Sequence, residues 1–109
     1  MERRSLLRVP LEVPFFVIVC LHDGYRCTAI LADCGRGGVQ LAFSPSLEDK
    51  LATLLGQELI LLDLPEGLRT DPDGCSGVVT WVSPQRCGVR FNQVLSLTDE
   101  ELTRVASSL

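Results

Sequence analysis

Histidine, lysine, tyrosine and tryptophan occur once each in this chain, as His22, Lys50, Tyr25 and Trp81. Each scarcity closes a door. With one histidine and no C-x-x-C among the five cysteines, the ligand spacing of a zinc site is missing, and no metal or cofactor is expected. The same poverty, with no G-x-S-x-G, no Walker loop and no H-E-x-x-H, leaves no assembled acid, base and nucleophile, so catalysis is not expected. No apolar run approaches the roughly 20 residues of a membrane span. "VPFFVIVCL" is too short and too β-branched, and "MERRSLLRVP" has no apolar core of a signal peptide. A cytoplasmic protein without membrane insertion is the expectation. A net charge of −4 also argues against a general DNA or RNA binder.

What is present reads as one globular domain. At 109 residues and 46% hydrophobic content the chain can bury its own core. The basic residues are skewed. Nine of ten are arginine, and Arg3, Arg4 and Arg8 crowd the first eight positions. Arginine makes planar, forked or stacked contacts with phosphates and bases. A basic head on an acidic body suits a small anionic partner, although a solvated basic tail has the same composition.

Strand signals alternate with turn chemistry along most of the chain. "EVPFFVIVCLH" and "YRCTAILA" flank Asp23-Gly24, read as a two-residue hairpin turn. That register sets Cys20 opposite Cys27 as free thiols in a wide, hydrogen-bonded pair. "VQLAFS", "QELILLDL", "CSGVVTWVS" and "CGVRFNQV" supply four further strands, the last two joined around "PQR". "SPSLEDKLATLLG" has helical leucine spacing closed by Gly56 and reads as a short helix or a loop with a turn. "EGLRTDPDG" is a polar turn region. At the end, Thr98 and Glu101 form a capping-box signature before the apolar positions Leu102, Val105 and Ala106, which predicts a helix over 98–108. The fold class is all-β: about six antiparallel strands closed as a barrel or packed as a sandwich, followed by a C-terminal helix. Trp81 belongs, on this reading, to the barrel core or rim.

Between "CTAILA" and "VQLAF" lies "DCGRGG", residues 33–38, with three glycines behind an acid. A tight turn between strands explains such a loop, and so does a backbone that must come close to something. The loop follows Arg4-Ser-Leu-Leu-Arg8, an R-x-x-x-R, by 25 positions, and itself reads D-x-G-x-x-G. The ordered set, with "GVVTWV" and "CGVRF" behind it, resembles the PilZ domain, a bacterial receptor module for cyclic di-GMP. The likeness runs from "ERRSLLRVPLEVP" through "GGVQL" to the terminal helix.

The resemblance implies a six-stranded antiparallel β-barrel, with a ligand-binding N-terminal segment (1–10), a barrel (11–95) and a C-terminal helix (98–108). It implies cyclic di-GMP as ligand, bound by Arg4, Arg8, Asp33, Gly35 and Gly38. Guanine offers O6 and N7 to a forked arginine, and its N1–H and N2–H₂ donors suit the Asp33 carboxylate. Gly37 and Gly38 would let the backbone approach without a Cβ in the way. The segment through Arg8 is expected to be mobile until it folds over the ligand. The implied output is a conformational signal to a protein partner in motility, biofilm, secretion or exopolysaccharide control. One departure stands out: the family pattern has serine where this chain has Gly35, at a cost of one neutral hydrogen bond, about 0.5–1.5 kcal/mol. That departure also allows an adaptor that does not bind the nucleotide and acts through protein contacts. A homodimer through the terminal helix or a barrel edge is a third arrangement.

Overall fold

A computed structural model describes residues 8–11, 13–64, 68 and 74–108. Its wall is built from seven strands: β1 (Arg8–Pro10), β2 (Phe16–Cys20), β3 (Arg26–Gly35), β4 (Gly38–Ala42), β5 (Glu58–Leu62), β6 (Cys75–Val82) and β7 (Arg86–Phe91). The hydrogen-bonded order is β1-β3-β2-β5-β6-β7-β4, and β4 returns to pair with β3. Strands β2 to β7 therefore close a six-strand antiparallel barrel. Closure removes the open edges that a sheet of this size would expose. The short β1 is an addition on the outside of that count, running along the end of β3. Its Pro10 has no N–H to give, which an edge strand tolerates.

Alternation fills the interior. Val17 and Val19, Ala29 and Leu31, Val39 and Leu41, Leu59 and Leu61, and Cys87, Val89 and Phe91 all point inward and are buried. A 3₁₀ turn (Pro45–Leu47) runs into the one-turn helix α1 (Glu48–Leu51), which drops Leu51 onto the core, and the turn that follows buries Leu54 and closes at Gly56 with φ +80. The "SPSLEDKLATLLG" segment thus combines features of both alternatives: one helical turn, set between turns. Helix α2 (Asp99–Ser107) carries the expected capping box: the Glu101 N–H donates to Thr98 Oγ1 at 3.1 Å, and the Thr98 N–H donates to Glu101 Oε1 at 2.9 Å. Leu102 and Ala106 bury its inner face, and the helix packs near β1.

The β2–β3 hairpin departs from the sequence reading. Leu21 N–H bonds to the Tyr25 carbonyl at 2.8 Å, so the loop holds three residues, 22–24, with Gly24 at φ +90. Asp23 Oδ1 accepts the Tyr25 N–H at 3.0 Å and steadies the longer turn. One extra loop residue shifts the register by one and flips the facing set. Cys27 faces Val19, and Cys20 faces Arg26. Cys20 and Cys27 therefore stand on opposite sides of the wall, and the expected cross-strand cysteine pair does not form.

Strand β2 is also shorter than "EVPFFVIVCLH" suggested, beginning only at Phe16, beyond Pro14. Arg3, Arg4 and most of the 66–74 turn region lie outside the described residues. Among the described residues no helix is long and apolar enough to cross a membrane.

Candidate functional site

The glycine loop is a two-residue turn, Arg36-Gly37, between β3 and β4. Approaching it, β3 contains an irregularity. Leu31 faces Leu41, but Asp33 faces Gln40, so one residue, Ala32, is extra. Simple alternation from Ala29 and Leu31 would send Asp33 into the apolar interior, where an unpaired carboxylate is costly. The bulge reverses the parity from that point. Cys34 then takes the inward position, fully buried, and Asp33 stands on the outer wall.

Strand β1 brings the arginine. Pro10 faces Asp33, Val9 faces Cys34 and Arg8 faces Gly35. From there Arg8 Nη2 donates to Asp33 Oδ1 at 2.8 Å. The Arg8 side chain is 49% exposed and that of Asp33 20%. An ion pair this open contributes about 0–1 kcal/mol to stability. The carboxylate keeps unused lone pairs, and the guanidinium keeps most of its five N–H groups. The pair is thus a pre-aligned donor and acceptor fork facing solvent.

The expected site residues divide as follows. Arg8, Asp33 and Gly35 are brought together, and Arg4 is outside the described residues. The expectation that the segment is free through Arg8 is replaced, at Arg8 itself, by the paired strand β1. Gly38 has a packing role: a Cβ there would collide with the Val89 carbonyl oxygen on β7. Gly37 gives its carbonyl to the Phe91 N–H at 2.8 Å. Part of the bare backbone in this loop is therefore the close approach of β4 to β7.

Three neighbours were not anticipated. Arg36, at the turn, reaches the start of α2: its Nη1 donates to the Leu97 carbonyl at 3.4 Å, and its Nη2 lies 3.5 Å from Asp99 Oδ1. Its carbonyl accepts the Leu95 N–H at 2.9 Å. Its Nε is buried without a partner among the described residues. Gln40, beside Asp33, accepts from Arg86 Nη1 at 2.6 Å. Trp81 sits on the outer wall, 41% exposed, and not in the core. The cause is a second irregularity: Val79 faces Val89 but Trp81 faces Gly88, so Thr80 is extra and the parity reverses again.

Burial governs the thiol beside this site. It pushes Cys34 up to about 11, the Asp33 charge acting in the same direction and Arg8 against it. Cys87, also inside the barrel, is pushed up to about 12, by burial and then by neighbouring Cys27. Both are inert interior thiols at neutral pH. Among the described residues no group of three or more His, Cys, Asp or Glu is placed to hold a metal ion. The depression along α2, lined by Asp99, Glu100, Thr103 and Arg104, carries two carboxylates and suits an anion poorly.

Fold and wall together define a small closed β-barrel that carries its polar site on the outside. The chain belongs to the PilZ domain family, whose family model matches residues 2–106. Solved structures agree on the fold. The PilZ domain with c-di-GMP of YcgR from Escherichia coli aligns with TM-score 0.63 at 17% identity, over 99% of this chain and 92% of that one. Bacillus subtilis Inhibitor of motility (MotI/DgrA) aligns with TM-score 0.59 at 16% identity, over 99% and 51%. The K. pneumonia MrkH-c-di-GMP complex aligns with TM-score 0.54 at 19% identity, over 99% and 50%. The chain thus spans about half the length of the MotI and MrkH chains. A search of curated protein sequences found no match.

Proposed function

We propose that this PilZ domain is a receptor for cyclic di-GMP, and not a catalyst. The observation that carries the reading is the solvent-facing Arg8–Asp33 pair, built by β1 and the β3 bulge next to Gly35. Guanine's two polar edges together are complementary to such a fork. The N1–H and N2–H₂ donors meet the carboxylate, and O6 and N7 accept from the guanidinium. Arg4, one R-x-x-x-R step before Arg8, is proposed to take a phosphate or a base face. Gly35 supplies backbone without a side chain in the way. Two of the aligned structures, YcgR and MrkH, are described as containing c-di-GMP, which supports the same ligand here.

The output is proposed to run through Arg36. This residue sits in the turn between Asp33 and Gly38 and holds the Leu97 carbonyl and Asp99 at the start of α2. A ligand that reorders the turn would therefore reach the helix, and through it a protein partner. Hydrogen exchange in α2 should change when ligand is added, and Arg36→Ala should uncouple that change from binding. Exchange that still responds in Arg36→Ala would contradict this route.

Binding itself is tested by calorimetric titration of the whole chain with cyclic di-GMP, using GTP and cyclic di-AMP as controls. Saturable heat with cyclic di-GMP alone is expected. No saturable binding at high micromolar ligand would overturn the reading.

A further inference from the structure

The outer wall of the barrel has two characters. On the side of β4 and β7 it carries Gln40, Arg86 and Arg90. On the side centred on β2 it is aliphatic. Phe16 faces Ile30 on β3, Ile18 faces Leu62 on β5, and the next step along β5 is Ile60. Their chain neighbours Val17, Val19 and Leu61 fill the interior, so these side chains stand outward. Phe16 is 61% exposed, Ile60 44% and Ile30 36%. Strands β3, β2 and β5 thus carry apolar residues on both faces, whereas an antiparallel strand with one face in water alternates apolar and polar. Apolar residues scattered singly on a surface are ordinary, but a contiguous block across three strands marks a contact surface. Helix α2 packs near β1 and leaves this block open.

Two charges of opposite sign stand at opposite corners of the block. Arg26 begins β3 and lies level with Cys20, at the hairpin end. Asp63 follows Leu62 at the end of β5 and lies level with Val17, toward the other end. Alternation would send Asp63 inward, but the chain leaves the strand there with φ 60 at this residue, a conformation that aspartate tolerates, and its side chain stays in water. Both charged residues are exposed, and neither has an ion-pair partner among the described residues. The corners are two strand spacings apart across the sheet and three residues apart along it, about 10 Å in each direction.

We propose that this face docks a second copy of the chain, through a two-fold contact that sets each Arg26 against the partner's Asp63. A two-fold interface presents one surface to itself. With the axis along the other diagonal of this nearly square block, the two charged corners exchange places, and two ion pairs flank the aliphatic centre. The strands of the two sheets then cross near a right angle, one of the arrangements that packed sheets adopt. An axis along the Arg26–Asp63 diagonal would instead set like charges together, so charge selects the first arrangement. The face covers on the order of 500 Å² per copy, the small end of specific interfaces, so the dimer is weak and depends on concentration. The Arg8–Asp33 fork lies beyond the Ala32 bulge, outside this contact, and the inference does not rest on the cyclic di-GMP reading.

Sedimentation of the whole chain from low to high micromolar protein tests it. A monomer–dimer equilibrium is expected for wild type. Phe16→Glu should be monomeric over the same range, and Ile60→Lys repeats that test on β5 should Phe16→Glu melt below wild type. Leu55→Glu charges an equally exposed residue in the turn after α1, off this face, and should dimerise as wild type does. Arg26→Asp and Asp63→Lys should each weaken self-association about 2- to 30-fold, since each turns two exposed ion pairs into repulsions. Mixed in equal amounts, these two variants should associate as wild type does, because the mixed dimer restores both pairs. A wild type that stays monomeric throughout overturns the proposal and leaves the face to a different protein. A dimer that survives both Phe16→Glu and Ile60→Lys overturns it as well, as does a mixture that associates no better than its components.

Discussion

Arg8 and Asp33 are 25 positions apart in the chain, yet Arg8 Nη2 donates to Asp33 Oδ1 at 2.8 Å on the outside of the barrel. Two separate devices bring them there. An edge strand, β1, carries the arginine alongside the end of β3, and a single extra residue in β3 turns the acid outward. Their joint product is a polar fork that faces solvent before any ligand arrives, so little reorganisation of these two groups is needed for binding.

Gly35 lies directly opposite Arg8, where the family pattern has serine. Among the described residues the glycines with positive φ are Gly24, Gly56 and Gly74. Gly35 is not one of them, so its backbone is open to L side chains. Gly35→Ser should therefore restore a hydroxyl without left-handed strain and tighten cyclic di-GMP binding by about 1 kcal/mol. Calorimetry on the variant measures this directly. Weaker binding with a lowered melting temperature would contradict it.

Gly38 should behave in the opposite way. Its missing Cβ is where the Val89 carbonyl sits, so Gly38→Ala must push β4 away from β7. A loss of about 1–3 kcal/mol in stability is expected, as for other overpacked sites. Chemical denaturation reads it. An unchanged midpoint would mean that the two strands part easily.

Much of this architecture is legible in the sequence. The alternating runs, the glycine turn and the Thr98–Glu101 cap identify the strands, the loop and α2, because each depends on local chemistry. The bulges are different. Ala32 and Thr80 look like ordinary strand residues, and what makes each one extra is the length of the strand opposite. Period-two alternation sends Trp81 inside; only the pairing with Gly88 reveals that it is out. The same holds at the first hairpin. Asp23-Gly24 is a fair two-residue turn by composition, but a three-residue loop with a left-handed Gly24 is the alternative for the same letters, and it moves Cys20 away from Cys27. Registers are long-range facts, and the polar site is assembled from registers.

The interior thiols make the fold sensitive to alkali. An ordinary thiol, as in the unfolded chain, titrates near 9.0, whereas burial raises Cys34 to about 11 and Cys87 to about 12. Above pH 9 the unfolded chain releases protons that the folded chain retains, so stability falls as pH rises. The contribution is complete below pH 9 and is lost as pH passes through about 11 and then about 12. Denaturation midpoints measured from pH 8 upward should therefore decline above pH 9, and the decline should lessen in Cys34→Ala, even if that variant starts less stable. A flat profile would contradict the burial of these thiols.

The receptor account stands most directly on one set of titrations: cyclic di-GMP into wild type, Arg8→Ala, Arg8→Lys and Asp33→Ala by calorimetry, with a melting curve for each protein. Removing one charged partner of a hydrogen bond costs about 1.5–3 kcal/mol, so each alanine variant should lose roughly 10- to 150-fold in affinity while melting close to wild type. Arg8→Lys should stay weak, since lysine neither forks nor stacks. If wild type binds and Arg8→Ala and Asp33→Ala bind equally well, the Arg8–Asp33 fork is not the nucleotide site.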